Sequence, residues 1–367
     1  MSLESQKHLA RLDNTQDYLI REFVDNYEDG VMSRRDLLER VRRITGSTAA
    51  AAGVLLALGV RPAFADPQAF VPVQAQPPGA PQSPFSVPEG DPAIISGPVT
   101  FLSGGATIMA YVARPRAEGR YPSVMICHEN AGTSEHYRDV TRRFARNGYV
   151  GLHLDLLSRQ GGTDAVPANE RGALLTAGVE QFVADFQAAM AYLRSQPFVI
   201  ADRIGMTGYC YGGGITWNVA IREPTLRAAA PYYGRPAYPD QVGNVRAAVL
   251  GVYGANDAGV NASIEPNRQQ LEAAGRTFRL NVYPDAGHAF FNDTRTSYVE
   301  SAATAAWRDT LAWFNTYLRA GALPATGDGE PAPAEAPAEG AEAADTAGEV
   351  AGAPAAPAAE AEPAQDA

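Results

Sequence analysis

Cysteine is nearly missing from this sequence. Cys127 and Cys210 are the only two among 367 residues, so a disulfide framework is excluded as the source of stability, and a chain of this length can bury an apolar core of its own. Clustered basic residues are missing from the central region, which excludes the electrostatic footprint of a nucleic-acid partner. The formal net charge of -11 overstates the acidity of the folded part, because ten Asp and Glu residues fall after Ala320, where there is no Lys or Arg. Long apolar runs are missing too. The best candidate, Ala49 to Val60, is only about a dozen residues, short of the roughly 20 needed to span a bilayer core, so a membrane-spanning mature protein is not expected. Residues 321–367 contain no aromatic residue and consist almost wholly of Ala, Pro, Glu, Gly and Asp, a composition that cannot offset the entropy of ordering and predicts a disordered acidic tail.

The other end of the chain is also expected to lie outside the core. Ser33-Arg34-Arg35-Asp36-Leu37-Leu38 precedes the short apolar run, and Ala63-Phe64-Ala65 follows it. Paired arginines, a brief apolar stretch and small residues before a cleavage point form a twin-arginine export signal, with cleavage expected after Ala65. That reading makes the export machinery a partner and places the mature protein in the periplasm or outside the cell. The alternative is a helix with a basic start, or an N-terminal anchor. Residues 66–94, rich in Pro, Gln and Ala, read as a spacer. One domain remains, residues 95–320.

Within it, short apolar runs alternate with amphipathic stretches, the signature of a mainly parallel sheet covered by helices on both faces. Strands are expected at 99–102 and 107–113 around a Gly-Gly turn, then at 123–127, 150–154, 204–209, 228–232, 247–253 and 278–282, with helices between most of them. The order suits an α/β-hydrolase fold.

The most informative segment is Gly208-Tyr209-Cys210-Tyr211-Gly212-Gly213, placed between a predicted strand and a predicted helix. It matches Gly-x-nucleophile-x-Gly, a turn whose strained nucleophile needs flanking glycines to avoid clashes with neighbouring chain. The following helix would place its positive dipole end under the Cys210 sulfur, with the Tyr211 N–H as an oxyanion donor. A lone cysteine in an apolar setting is usually inert. Here, however, Asp257 follows one later strand and His288 the next, giving the chain order nucleophile, acid, histidine with all three at one edge of the sheet.

The cysteine elbow, Gly254-Ala255-Asn256-Asp257, Ala286-Gly287-His288-Ala289-Phe290 and His128-Glu129-Asn130 together resemble the dienelactone hydrolase (carboxymethylenebutenolidase) family over residues 100–318. The resemblance implies a thiolate attacking a lactone or ester carbonyl, an acyl-enzyme, no metal or organic cofactor, a small-molecule substrate and a monomer. It also implies that Glu129 hydrogen-bonds the resting thiol and that Asn130 supplies a second oxyanion N–H. Independently, a carboxylate beside Cys210 would disfavour the thiolate and protect it from oxidation. Cys127, at the end of the neighbouring strand, reads as a buried structural cysteine rather than a disulfide partner.

Substrate recognition follows the family pattern only in part. Arg171 matches one of the arginines that hold a substrate carboxylate, but Ala289 and Asn292 replace the family's serine and arginine after the histidine. Arg235, at the end of a strand opening on the site, is a candidate for the missing positive charge, and Tyr209, Tyr211, Phe290 and Phe291 for an apolar wall. A thioesterase or peptidase could use the same triad, although no inserted lid or second domain is visible. A non-catalytic exported binding module would have lost a triad member, and all three are present.

Overall fold

Eight short segments rich in Val, Ile, Leu and Ala form one sheet: β1 (Ile94–Ser103), β2 (Ala106–Pro115), β3 (Tyr121–Cys127), β4 (Val150–Leu154), β5 (Val199–Tyr209), β6 (Ala228–Tyr232), β7 (Ala248–Gly254) and β8 (Phe278–Tyr283). The computed structural model describes residue 12 and residues 14–28, 33–60, 79–167, 170–171 and 178–320. The strand order is β1-β2-β4-β3-β5-β6-β7-β8. Strand β2 runs antiparallel to both β1 and β4, and every later pair is parallel. This is the α/β-hydrolase architecture. The inner strands β4, β6 and β7 are buried along their whole length, which is why their sequences are unbroken apolar runs rather than alternating ones.

The helices are α1 (Asn14–Glu28), α2 (Arg34–Thr45), α3 (Thr48–Ala57), α4 (Glu135–Arg146), α5 (Val179–Ser195), α6 (Tyr211–Arg222), the short α7 (Ala258–Asn261), α8 (Ile264–Ala273) and α9 (Glu300–Phe314). The main core gathers β3 to β7 with Phe144, Phe182, Phe186, Trp217, Trp307 and Phe314. The predicted elements from residue 123 onward are found within a few residues of their expected ends. Strand β1 starts earlier than expected because Ile94 to Ser103 pairs continuously with Pro115 to Ala106 around the Gly104-Gly105 turn, where both glycines have positive φ.

Two stretches expected outside the core are folded. Residues 79–94, the second half of the predicted spacer, are tied down by buried carboxylates: the Ser83 N–H donates to Asp293 Oδ2 at 2.8 Å and the Val87 N–H to Asp139 Oδ1 at 2.6 Å. Arg143 bridges both acids, lying 2.6 Å from Asp293, and His136 Nδ1 meets the other Asp293 oxygen at 2.6 Å.

Residues 14–57 form three helices. Ser33 caps α2 by accepting from the Asp36 N–H at 3.1 Å, so Ser-Arg-Arg-Asp serves here as a helix start. Ile20, Phe23 and Val24 of α1 pack with Leu37, Val41, Ala51, Val54, Leu55 and Val60 into a second apolar cluster. The expected cleavage point at Ala65, the first part of the spacer and the tail at 321–367 lie outside the described residues. No described helix is long and apolar enough to cross a membrane.

Candidate active site

Strand β5 ends at Tyr209 and α6 begins at Tyr211, leaving Cys210 alone on the turn with φ 54° and ψ −119°. That is a costly conformation for a residue with a side chain, and it persists because the surroundings fix it. A Cβ on Gly208 would run into the Gly212 carbonyl, and one on Gly212 would lie 2.5 Å from the carbonyl oxygens of Cys127 and His128. Glycine is therefore required on both sides of the nucleophile position. Tyr211 is the first residue of α6, so its N–H is one of the amides a helix start leaves without an intrahelical partner.

The loops after β7 and β8 bring Asp257 and His288 to the same edge. His288 Nδ1 lies 2.7 Å from Asp257 Oδ2, while Asp257 Oδ1 caps α7 by accepting from the Val260 N–H at 3.2 Å. Both carboxylate oxygens are thus used, which fixes the acid and turns the imidazole. Cys210, Asp257 and His288 are buried, at 2%, 6% and 6% exposed. Tyr233 packs over the His288 ring at 5.2 Å between centroids. Tyr233 and Ala289 also have positive φ, so strained residues cluster around this site.

One contact on the sulfur comes from outside the domain expected to hold the site. Cys210 Sγ donates to Oε2 of Glu22, on α1, at 3.2 Å, and Glu22 is fully buried. Burial first, and then the Glu22 charge, push the Cys210 thiol well above its ordinary pKa, with His288 acting the other way. Burial and Glu22 both favour the protonated sulfur. For His288, burial works against protonation, but negative charge on the Cys210 sulfur and then the Asp257 carboxylate outweigh it and raise its pKa, so the imidazole is drawn to hold the proton once the thiolate forms. Glu22, Cys210 and His288 bring possible ligand atoms within 4.8 Å of one another, a metal-capable trio among the described residues.

Glu129 is placed differently from expectation. Its carboxylate receives Arg295 at 2.8 Å and the Asn292 amide at 3.2 Å. Burial works to raise its pKa, but Arg295, His136 and Asn292 hold it below the usual carboxylate range. The carboxylate on the Cys210 sulfur is that of Glu22, and Glu129 is committed to Arg295 because a buried acid is best stabilised by a full countercharge. The loop carrying Glu129 and Asn130 is set by His128, whose Nδ1–H donates to the Glu129 carbonyl at 2.5 Å while Nε2 accepts from the Leu156 N–H at 3.0 Å. Asn130 is buried at 5% exposed.

Of the two candidate substrate-binding arginines, Arg171 donates to the carbonyls of Val166 at 3.0 Å and Ala131 at 3.3 Å, so it braces the loop after Asn130. Arg235 reaches the site: its Nη2 is 3.6 Å from Glu22 Oε1, and its Nη1 donates to the Gly259 carbonyl at 3.3 Å. Tyr209 is stacked on Phe291 deep in the core, with ring centroids 5.3 Å apart, and Tyr211 lies beneath Tyr18 of α1 at 5.5 Å. Phe290 packs against Tyr233 beside the triad.

Residues 108–318 match the sequence profile of the dienelactone hydrolase family. The chain belongs to that family. Among relatives of this dienelactone hydrolase-family chain, a Salmonella typhimurium protein named as a carboxymethylenebutenolidase is 36% identical over 256 residues, covering 66% of this chain and 94% of that protein. A Bradyrhizobium protein named as a 2-oxo-3-(5-oxofuran-2-ylidene)propanoate lactonase is 29% identical over 229 residues, covering 59% of this chain and 92% of its own. A Klebsiella pneumoniae crystal structure named as a dienelactone hydrolase superposes with TM-score 0.57 at 36% identity, covering 61% of this chain and all of that one. Family membership makes this chain a lactone or ester hydrolase.

Four residues of the dienelactone hydrolase site were not singled out by sequence as parts of its machinery: Glu22, Tyr18, Asn292 and Arg295. A signal existed for the first two, since Tyr18, Leu19, Phe23 and Glu22 recur at helical spacing; for Arg295 none did, because its pairing with Glu129 spans 166 positions.

Proposed function

We propose that this hydrolase cleaves a lactone or carboxylic ester through a Cys210 acyl-enzyme. His288 takes the thiol proton as Cys210 Sγ bonds to the carbonyl carbon, and the resulting oxyanion faces the N–H groups of Tyr211 and Asn130. The carbonyl re-forms as the ester C–O bond breaks, and His288 returns the proton to the leaving oxygen. Water then gives a proton to His288 and attacks the acyl carbon, the C–S bond breaks, and the thiol is restored. Asp257 holds the imidazole in the required tautomer. Glu129, held by Arg295 and Asn292, keeps the loop carrying Asn130 in place. Arg235 supplies positive charge for a substrate carboxylate, whereas Arg171 supports the loop after Asn130.

The observation that carries this reading is the convergence of a strained cysteine at the start of α6 with a histidine hydrogen-bonded to a capped aspartate. Aryl esters, thioesters and unsaturated lactones offered to the parent, Cys210→Ala and Asp257→Asn test it. Turnover should vanish in Cys210→Ala and fall about 10³-fold or more in Asp257→Asn; hydrolysis indifferent to Cys210 would sink the mechanism.

We also propose that residues 1–65 are an N-terminal extension and twin-arginine signal peptide cleaved after Ala65, which would put the mature protein in the periplasm or outside the cell. The Arg34-Arg35 pair and the short apolar run support it. Fractionation of cells expressing the full chain or an Arg34→Lys/Arg35→Lys form, with N-terminal sequencing of the exported protein, tests it: retention of the altered form and a new terminus at Asp66 are expected. A monomer is expected by light scattering.

A further inference from the structure

Helix α1 carries two working faces. Ile20, Phe23 and Val24 join it to α2 and α3. Tyr18, Leu19 and Glu22, an i, i+1, i+4 set on the other side, enter the hydrolase. The Tyr18 hydroxyl donates to the Tyr211 carbonyl at 3.0 Å, and Leu19 joins the main core. Gly214 of α6 leaves room for the Tyr18 ring: a Cβ there would meet the Tyr18 hydroxyl as well as the Arg235 backbone. Glu22 reaches the centre, with one carboxylate oxygen on the Cys210 thiol and the other facing Arg235.

A fully buried glutamate is costly unless paired, and here its carboxylate meets the nucleophile and the arginine suited to a substrate carboxylate. With α1 docked, Cys210 is 2% exposed and the Glu22 carboxylate sits on its sulfur, where an ester or lactone carbonyl would have to approach. We propose that α1 is an intramolecular plug of this hydrolase, with Glu22 standing in for the carboxylate of an anionic ester or lactone, so that turnover requires α1 to leave or to be removed with the segment that carries it. The proposal rests on the hydrolase reading for the meaning of the occupied site, while the occlusion itself stands on the contacts.

Occlusion lowers the apparent kcat/KM by the fraction of molecules with α1 undocked, so freeing a plug that is open on the order of 1% of the time raises it about 100-fold. The test uses the full chain and three altered full chains: Glu22→Arg, which sets a cation against Arg235; Tyr18→Ala/Leu19→Ala, which weakens docking without touching Glu22; and a form with a protease recognition sequence inserted after Ala65, assayed intact and cut. Two quantities are read in each: alkylation of Cys210 by iodoacetamide, with Cys210→Ala as the blank, and kcat/KM on anionic and neutral aryl esters and lactones. Circular dichroism checks that each form is folded.

Alkylation and kcat/KM at least tenfold faster in both substituted chains are expected, together with activity of the cut chain that rises on dilution as the tethered concentration is lost. Unchanged alkylation in every folded form would overturn the plug, as would a fall in kcat/KM in both substituted chains, which would make α1 part of the working site. Release of activity by a chelator alone would overturn it too, pointing to a metal on Glu22, Cys210 and His288. Faster alkylation without hydrolysis of any ester or lactone by any form would uphold the plug and sink the hydrolase mechanism.

Discussion

Two buried glutamates near one sulfur have opposite settings. Glu129 faces Arg295 and Asn292, whereas Glu22 faces a thiol and a more distant arginine. Arg295→Leu should destabilise the fold by about 3 kcal/mol by leaving Glu129 buried without its cation, a loss read by denaturant unfolding. Glu22→Gln should act on the chemistry of the sulfur instead. Removing the anion removes one of the two leading causes of the raised Cys210 pKa, so the thiolate becomes easier to form and the pH profile of Cys210 alkylation moves to lower pH. A profile that stays in place or moves up would show that burial alone sets the thiol. At this scale the sequence was informative wherever chemistry and local chain geometry coincide: Cys210 between glycines, Asp257 and His288 each following a strand. It was silent where pairing is long-range. The helical spacing of Tyr18, Leu19, Glu22 and Phe23 puts Glu22 beside an apolar face, but the sulfur it meets lies 188 positions away and nothing local names it.

Among the elements, the β5–α6 elbow leaves the least slack. Gly212→Ala would drive a methyl group against the carbonyls of Cys127 and His128, and an overpacking cost of about 1–3 kcal/mol is expected, with hydrolysis lost faster than stability because the turn itself must shift. Strand β4 carries a pH-sensitive element of another kind. The His153 ring donates from Nδ1 to the Ile126 carbonyl at 3.2 Å and accepts at Nε2 from the Thr133 hydroxyl at 2.6 Å. Burial, with His128 next, lowers its pKa to about 3. The unfolded chain takes up that proton near pH 6.5, so the stability held by neutral His153 is complete above that pH and is lost as pH falls toward 3. In His153→Gln the pH dependence of thermal unfolding between those limits should flatten. Strands and helices of the domain were legible because buried parallel strands are written as continuous apolar runs. The folding of residues 79–94 was not, since Asp139 and Asp293, which hold that stretch, lie far along the chain and signal nothing locally.

Across the whole molecule, the described residues form two larger apolar clusters of unequal size, joined through α1 and Ile44. The smaller is built from three helices and has few side chains to lose, so its backbone should open without unfolding the sheet. Amides of α2 are expected to exchange with deuterium well before those of β3 and β5, and matching protection in all three would contradict this. The same division bears on how such a protein is prepared. Helix α1 sets Glu22 against Cys210, so a purification tag that replaces residues 14–28, or a protease trimming step that removes them, changes which protein is being assayed. Two laboratories using the same gene with different start points would be measuring different surfaces around one sulfur atom.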